Sequence, residues 1–203
     1  MTRPREFDTN QVLHNAMLLF WRKGFNKTSV RDLTEATQLN PGSLYGTFEN
    51  KRTLFLKSLE NYSNELKQSV DLILRSNEPP LIRIKKFFEF LIRTTSEDPQ
   101  SRGCLLINTL LEIPIDDKEI IQQASQGLNY VENSFVDLLQ EARQQGELDS
   151  NADPAALAKL LLTGIFGMRV YAKMQAAPET LQGIVKTLLS ILDREPAVIG
   201  SAK

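Results

Sequence analysis

The sequence predicts an all-α protein of about nine helices. Apolar residues recur three and four positions apart through most of the 203 residues, the spacing that places them on one face of a helix. Pro, Gly, Asn and Asp fall between these periodic segments, where they begin or end helices. Sustained alternation of apolar and polar residues is missing from the sequence, as are hairpin dipeptides between apolar runs, so no sheet is predicted.

Three short helices are predicted first. One spans residues 9–23 and ends before Gly24, which suits the position after a helix C-terminus. The next starts after Thr28 or Ser29 as N-cap and ends near residue 37. The third runs over 41–48, with a proline at its first position. Two short helices joined by a tight turn are typical of a helix-turn-helix motif.

The longer helices follow this three-helix head, which we place at residues 1–50. Residues 51–203 are predicted to form a helical domain for ligand binding and dimerisation. Its helices are expected at 51–75, 81–96, 102–112, 117–145, 154–175 and 178–193.

The charge distribution divides the chain at about the same place. Residues 1–57 contain nine Lys or Arg and five Asp or Glu. The rest of the chain contains fifteen Lys or Arg and twenty Asp or Glu, and the whole chain has a net charge of −1. A basic head on an acidic body suits contact with a polyanion, although a solvated surface can show the same excess. This asymmetry alone does not establish nucleic-acid binding.

Several classes of protein are disfavoured by composition. No apolar run approaches the roughly 18 residues of a membrane span, and no secretory signal is visible at the N-terminus. One cysteine, Cys104, excludes an internal disulfide and fits a reducing cytoplasm. With one histidine, His14, and no phosphate-binding or nucleophile motif, neither an enzyme nor a metal or cofactor site is expected.

The helix-turn-helix segment has the sequence pattern that a DNA groove requires. Its second helix must enter a major groove about 12 Å wide, while the first lies across the backbone. Val30, Leu33, Leu44 and Phe48 are expected to face inward. Small and polar residues are then left outside, where they permit close approach to a nucleic acid: Arg31, Gly42, Ser43, Tyr45, Gly46 and Thr47.

Residues 28–55 read TSVRDLTEATQLNPGSLYGTFENKRTLF and resemble the DNA-binding domain of the TetR/AcrR family of transcriptional repressors. The resemblance implies a homodimer on a double-stranded DNA operator, released by a small-molecule inducer. It implies that Thr28, Ser29 and Arg31 contact phosphates or a base edge. It also implies that Gly42, Ser43 and Thr47 face bases. Tyr45 and Lys51 are implied to bind phosphates. Many relatives carry a bulky residue and then His or Tyr where this chain has Gly46 and Thr47, so no operator sequence is implied.

Residues 102–113, RGCLLINTLLEI, resemble a segment that forms the sixth helix in a subset of these repressors. There it links the ligand pocket to the head, and in some relatives its cysteine reacts with electrophiles or oxidants. Such reactivity at Cys104 would need a thiolate stabilised by Arg102 or by a helix N-terminus. The alternative is a small buried hydrophobe.

The candidate inducer pocket lies among the middle helices and is expected to accept an apolar or amphipathic molecule. Helical spacing does not separate a residue that lines a cavity from one that fills the core. The candidates are Phe88, Leu91, Cys104, Asn108, Phe135, Met168 and Tyr171.

The last two helices carry more apolar residues than one chain needs to bury. In the TetR/AcrR family the equivalent helices pair with the same helices of a second subunit across a two-fold axis. Gly164, Gly167 and Gly183 permit close helix approach, either between subunits or within one chain.

A helical adaptor that binds protein instead of DNA is the alternative function. Salt discriminates the two, since phosphate contacts make affinity fall steeply with salt concentration.

Overall fold

The computed structural model describes residues 7–193, and in this range it contains nine α-helices and no strand. The predicted all-α class is confirmed. A short 3₁₀ turn, Ser190–Leu192, follows the last helix. The helices are α1 Thr9–Lys23, α2 Val30–Thr37, α3 Pro41–Phe48, α4 Lys51–Leu74, α5 Pro80–Ser96, α6 Leu105–Glu112, α7 Lys118–Gln144, α8 Pro154–Lys173 and α9 Pro178–Leu189.

Side-chain caps explain where several helices begin. Asp8 accepts hydrogen bonds from two amides in the first turn of α1, and Asp153 does the same for α8. Asn50 accepts a hydrogen bond from the amide of Thr53 at 2.9 Å and so caps α4. Each cap satisfies an amide that has no partner inside its helix.

Helix α6 starts three residues later than its apolar pattern predicts. Gly103 has φ +75°, a left-handed conformation that a helix does not continue through. Cys104 is extended, with φ −116° and ψ 127°, and serves as the N-cap. The chain therefore turns before Leu105 and enters the helix from there.

The described residues form two compact units. The first comprises residues up to Ser69 together with Asp98–Tyr130. Its aromatic core joins Phe20 of α1, Phe25 of the following turn and Phe55 of α4, with ring centroids 4.8–6.3 Å apart. The first turns of α4 therefore complete the core under the helix-turn-helix, beyond the boundary predicted at residue 50.

The second unit comprises Val70–Glu97 and the described residues from Val131 onward. Three phenylalanines lie at its centre, where the Phe135 ring is 5.4 Å from Phe87 and 6.1 Å from Phe88. Arg83 is 7% exposed. Its guanidinium donates to the Leu74 carbonyl and the Glu141 carboxylate, which tie the end of α4 and α7 to α5.

Candidate nucleic-acid interface

Helices α2 and α3 are each fixed at their start by a polar side chain. Ser29 and Asp32 form a reciprocal capping box, which satisfies two amides at the start of α2. Asn40 accepts from the amide of Ser43 at 2.8 Å. Between the helices Gln38 is left-handed, with φ 59°, which produces the tight turn of the motif. Both helix starts are therefore set by local sequence.

The inner faces of these helices are buried at Leu33 and Leu44, and at Phe48 with 1% exposure. Val30, which the sequence predicts to face inward, is 41% exposed, so this expectation is wrong. The outer face of α3 consists of small or polar side chains: Gly42, Gly46 and Thr47 are exposed, and Ser43 is half-buried. This is the face that the sequence predicts to meet bases.

The two glycines of α3 differ in what surrounds them. A Cβ placed on Gly46 would meet nothing within 4 Å, whereas one on Gly42 would lie 3.3 Å from the Asn40 Oδ1 that caps the helix. Packing within the chain therefore does not require a glycine at 46, although glycine weakens a helix by about 1 kcal/mol relative to alanine.

The charged residues of α2 are paired, Arg31 with Glu35 on the surface and the half-buried Asp32 with Lys23 of α1. Arg31 Nε lies 2.8 Å from Glu35 Oε1 on the same helix, and this hydrogen bond raises the pKa of Arg31. Hydrogen bonds from Lys23 and Ser29 hold the pKa of Asp32 well below its usual range. The Arg31 side chain is 87% exposed, so a DNA phosphate can replace Glu35 as its partner.

The side chains of Thr28, Ser29 and Tyr45 are engaged or enclosed within the protein. Thr28 is 1% exposed and its hydroxyl donates to the carbonyl of Gly24. The Ser29 hydroxyl takes part in the capping box. The Tyr45 hydroxyl is buried without a hydrogen-bond partner, and burial raises its pKa. These positions favour structural roles for Thr28 and Ser29, and a Tyr45 side chain that must turn outward to reach a phosphate.

Lys51 is the first residue of α4 and follows the helix-turn-helix in sequence. Its Nζ stands 4.5 Å from the centroid of the Phe25 ring. Partial burial lowers the pKa of Lys51, while the charges of Glu112 and Asp32 act in the opposite direction. The ammonium is therefore held beside the turn that precedes α2, close to the start of the motif.

Sequence reasoning missed three residues, Glu112, Asp117 and Glu119, that contact the flanks of the motif from far away in the chain. The Glu112 carboxylate accepts hydrogen bonds from the backbone amides of Phe25 and Asn26. Asp117 pairs with Arg52. Separations of 65 to 87 residues leave no periodic signal by which these pairs could have been found.

The candidate inducer residues do not form one set. Phe88, Leu91, Phe135 and Met168 are 4% exposed or less and lie in the core of the second unit. Cys104 and Asn108 belong to the first unit. Tyr171, 43% exposed, stands on the surface of α8.

Cys104 is 7% exposed. The nearby Arg102 guanidinium lies 4.3 Å from the centre of the Trp21 ring and bonds the Asp98 carboxylate. Asn108 donates to the Arg102 carbonyl at 2.8 Å. The burial of the thiol and the two partners of Arg102 favour the structural alternative for Cys104 over a reactive thiolate.

Helix α8 presents an exposed apolar stripe. Large apolar side chains recur at helical spacing along α8 and at its C-cap: Leu160 (45% exposed), Tyr171 (43%) and Met174 (68%). A Cβ on Gly167 or on Gly183 of α9 would meet nothing within 4 Å, whereas one on Gly164 would collide with Leu188 of α9. Gly164 therefore serves packing within the chain, and Gly167 and Gly183 leave open surface.

Among the described residues, α8 is also the one helix long and apolar enough to cross a membrane, judged by length and composition only, and 33% of its most apolar window is buried inside the structure.

The fold and this site define a helix-turn-helix DNA-binding regulator of transcription. The family model for bacterial regulatory proteins of the tetR family matches residues 12–57, and the model for the tetracyclin repressor-like C-terminal domain matches residues 80–188. The chain belongs to the TetR family. Members of this family are DNA-binding regulators, not enzymes, and act as dimers.

Relatives match along nearly the whole chain. The uncharacterised HTH-type transcriptional regulator YezE of Bacillus subtilis is 30% identical over 194 residues, covering 95% of this chain and 100% of YezE. The HTH-type transcriptional repressor ComR of Escherichia coli is 28% identical over 190 residues, covering 93% of this chain and 90% of ComR. A cysteine-substituted TetR family regulator CifR, solved with 26-bp operator DNA, is 26% identical with a TM-score of 0.85, covering 94% of this chain and 100% of CifR.

Proposed function

We propose that the protein is a homodimeric repressor that binds an inverted-repeat operator through the outer face of α3 and the starts of α2 and α4. The observation that carries this proposal is the small, polar outer face of α3, together with the exposed Arg31 on α2 and Lys51 at the start of α4. Small side chains let a helix approach base edges closely, and the flanking cations neutralise phosphates. The operator complex of CifR and the repressor ComR support this function.

In this proposal Gly42, Ser43 and Thr47 face bases, while Arg31, Tyr45 and Lys51 contact phosphates. Ser29 caps the start of α2, and the Thr28 hydroxyl donates to the Gly24 carbonyl in the preceding turn. Each of these two side chains contacts DNA only if its present hydrogen bond is replaced. Residues 1–50 are proposed as the DNA-binding domain and residues 51–203 as the domain for inducer binding and dimerisation.

The second part of the proposal is release by a small apolar or amphipathic inducer. Two recognition helices of a dimer must lie about 34–36 Å apart to read successive major grooves. An inducer that binds more tightly to a dimer with a different separation lowers operator affinity by population shift. The buried apolar residues Phe88, Leu91, Phe135 and Met168 mark where such a molecule would have to open space in the second unit.

The apolar stripe on α8 is proposed to be covered by a second copy of the chain, and the protein is proposed to act in the cytoplasm. Lys159 and Arg169 bound the apolar run 160–168 of α8, and each would cost several kcal/mol if it stood in lipid. Pairing with the same helix of a second copy buries the stripe while Lys159 stays exposed and Arg169 keeps its hydrogen bond to Thr95.

Selection of binding sites from a random duplex library tests the function. Purified full-length protein is expected to enrich an inverted repeat, because a two-fold dimer presents two identical recognition helices. The measurement is sequencing of bound duplexes over several rounds at low and at moderate salt. Absence of any enriched sequence at low salt would favour the protein-binding adaptor.

Gly46→Ala is expected to raise the stability of the protein and to lower its affinity for the selected operator. The added methyl group meets nothing in the chain and gains about 0.5–1 kcal/mol of helix stability, but it stands between α3 and the groove. Thermal unfolding and electrophoretic mobility shift on one preparation measure the two effects. A variant that is more stable and binds the operator unchanged would show that this face does not enter the groove.

A further inference from the structure

The connection between α6 and α7 contacts the turn that precedes the helix-turn-helix. Glu112 ends α6, and its Oε2 accepts from the amide of Phe25 at 3.0 Å while its Oε1 accepts from the amide of Asn26 at 2.7 Å. Gly24 has φ +83°, and a Cβ there would lie 2.7 Å from the Glu112 Oε2. The turn is therefore shaped around this carboxylate.

The same connection also contacts the helix that follows the motif. Arg52, in the first turn of α4, forms a bidentate salt bridge with Asp117, in which its Nη1 and Nη2 donate to Oδ2 and Oδ1 at 2.5 and 2.9 Å. A third hydrogen bond, 2.7 Å long, joins Arg52 to Glu119. Paired hydrogen bonds between a guanidinium and a carboxylate fix orientation as well as distance.

Satisfying buried polar groups accounts for only part of these contacts. The Phe25 amide and the Arg52–Asp117 pair are part-buried, but the Asn26 amide and the Arg52–Glu119 hydrogen bond are exposed, where water would serve equally well. Three carboxylates beside a basic head also weaken its attraction for DNA. The arrangement has an electrostatic cost for a DNA-binding protein, so its benefit must lie in geometry.

We infer that Glu112, Asp117 and Glu119 form an acidic bracket that holds both flanks of the helix-turn-helix, and that Glu112 is a positioning residue for operator recognition. This inference rests on the proposed function and deepens it. With both flanks attached to one connection, the motif turns as a unit with the end of α6 and the start of α7. A shift of either helix changes the angle at which α3 meets the groove.

The decisive variant is Glu112→Gln, with Asp116→Asn as its matched control. Both remove one negative charge from the same connection, but Asp116 is exposed and its carboxylate takes no part in the bracket. Electrostatics alone raises DNA affinity slightly in both variants. If Glu112 positions the motif, Glu112→Gln instead weakens operator binding about tenfold, the effect of about one charge-assisted hydrogen bond.

Affinities for the selected operator and for a scrambled duplex of equal length are measured at one salt concentration for the full-length proteins. Glu112→Gln is expected to bind the scrambled duplex at least as tightly as the wild type, which shows that the head is folded. Its ratio of operator to scrambled affinity falls, while that of Asp116→Asn does not. Equal operator affinities for the two variants would overturn the inference.

The Glu112→Asp variant separates the effect of side-chain length from the effect of charge. It keeps the carboxylate but shortens the side chain by one methylene group, so it is expected to lose operator affinity with its charge intact. Wild-type affinity in Glu112→Asp and Glu112→Gln together would refute the bracket and leave the operator-binding function standing. Failure of the wild type to select any operator would instead refute the proposed function.

Discussion

Leu160→Glu is expected to convert the dimer to monomers and to weaken operator binding by about 10²–10⁴-fold. Leu160 is 45% exposed on the apolar stripe of α8, and a two-fold interface would bring two copies of the new carboxylate into a dry contact. Unpaired charges in such a contact cost several kcal/mol. A monomer engages one half-site and loses the avidity that the second provides.

Ala155→Glu is the matched control, since it adds the same charge on the exposed surface of α8 but off the stripe. Sedimentation velocity gives the oligomeric state, and mobility shift on the selected operator gives the affinity. Ala155→Glu is expected to stay dimeric. A dimeric Leu160→Glu with unchanged operator affinity would place the interface elsewhere.

Phe135→Ala is expected to lower the free energy of unfolding by about 3–5 kcal/mol, the range for truncating a large buried aromatic side chain. Phe135 has 0% exposure. Its ring packs edge-on against Phe87 and stacks on Phe88. Urea denaturation at a fixed protein concentration measures the loss, because the stability of a dimer depends on concentration.

Phe90→Ala provides the comparison, because Phe90 lies on the same helix as Phe87 and Phe88 but is only half-buried. It is expected to lose markedly less stability than Phe135→Ala. A small loss at Phe135, near that of Phe90, would mean that the ring lines a cavity and does not fill the core. The inducer pocket would then already be open around it.

The order and type of the helices followed from the sequence because their causes are local. A cap such as Asn40 acts on an amide three residues away, and helical spacing places Leu44 and Phe48 on one face whatever they later meet. The family resemblance of residues 28–55 added the DNA-binding role. The start of α6 was misplaced because the left-handed Gly103 and the extended Cys104 interrupt a segment whose apolar spacing looks continuous.

The surroundings of each side chain were decided by the tertiary structure. Spacing placed Tyr171 and Phe135 alike in a candidate pocket, yet one is exposed on α8 and the other is buried. Gly164 and Gly167 are equivalent in sequence, but only Gly164 has a neighbour that excludes a side chain. Apolar spacing shows that a face is buried without showing against what.

Local sequence is enough to predict an all-helical chain with a helix-turn-helix head, because capping and helical periodicity act over a few residues. Only the tertiary structure showed that Glu112 reaches the amides of Phe25 and Asn26, and that Arg52 finds Asp117. Such contacts depend on how distant segments pack. The local sequence around a side chain that makes a long-range contact does not differ from the local sequence around a side chain exposed to water.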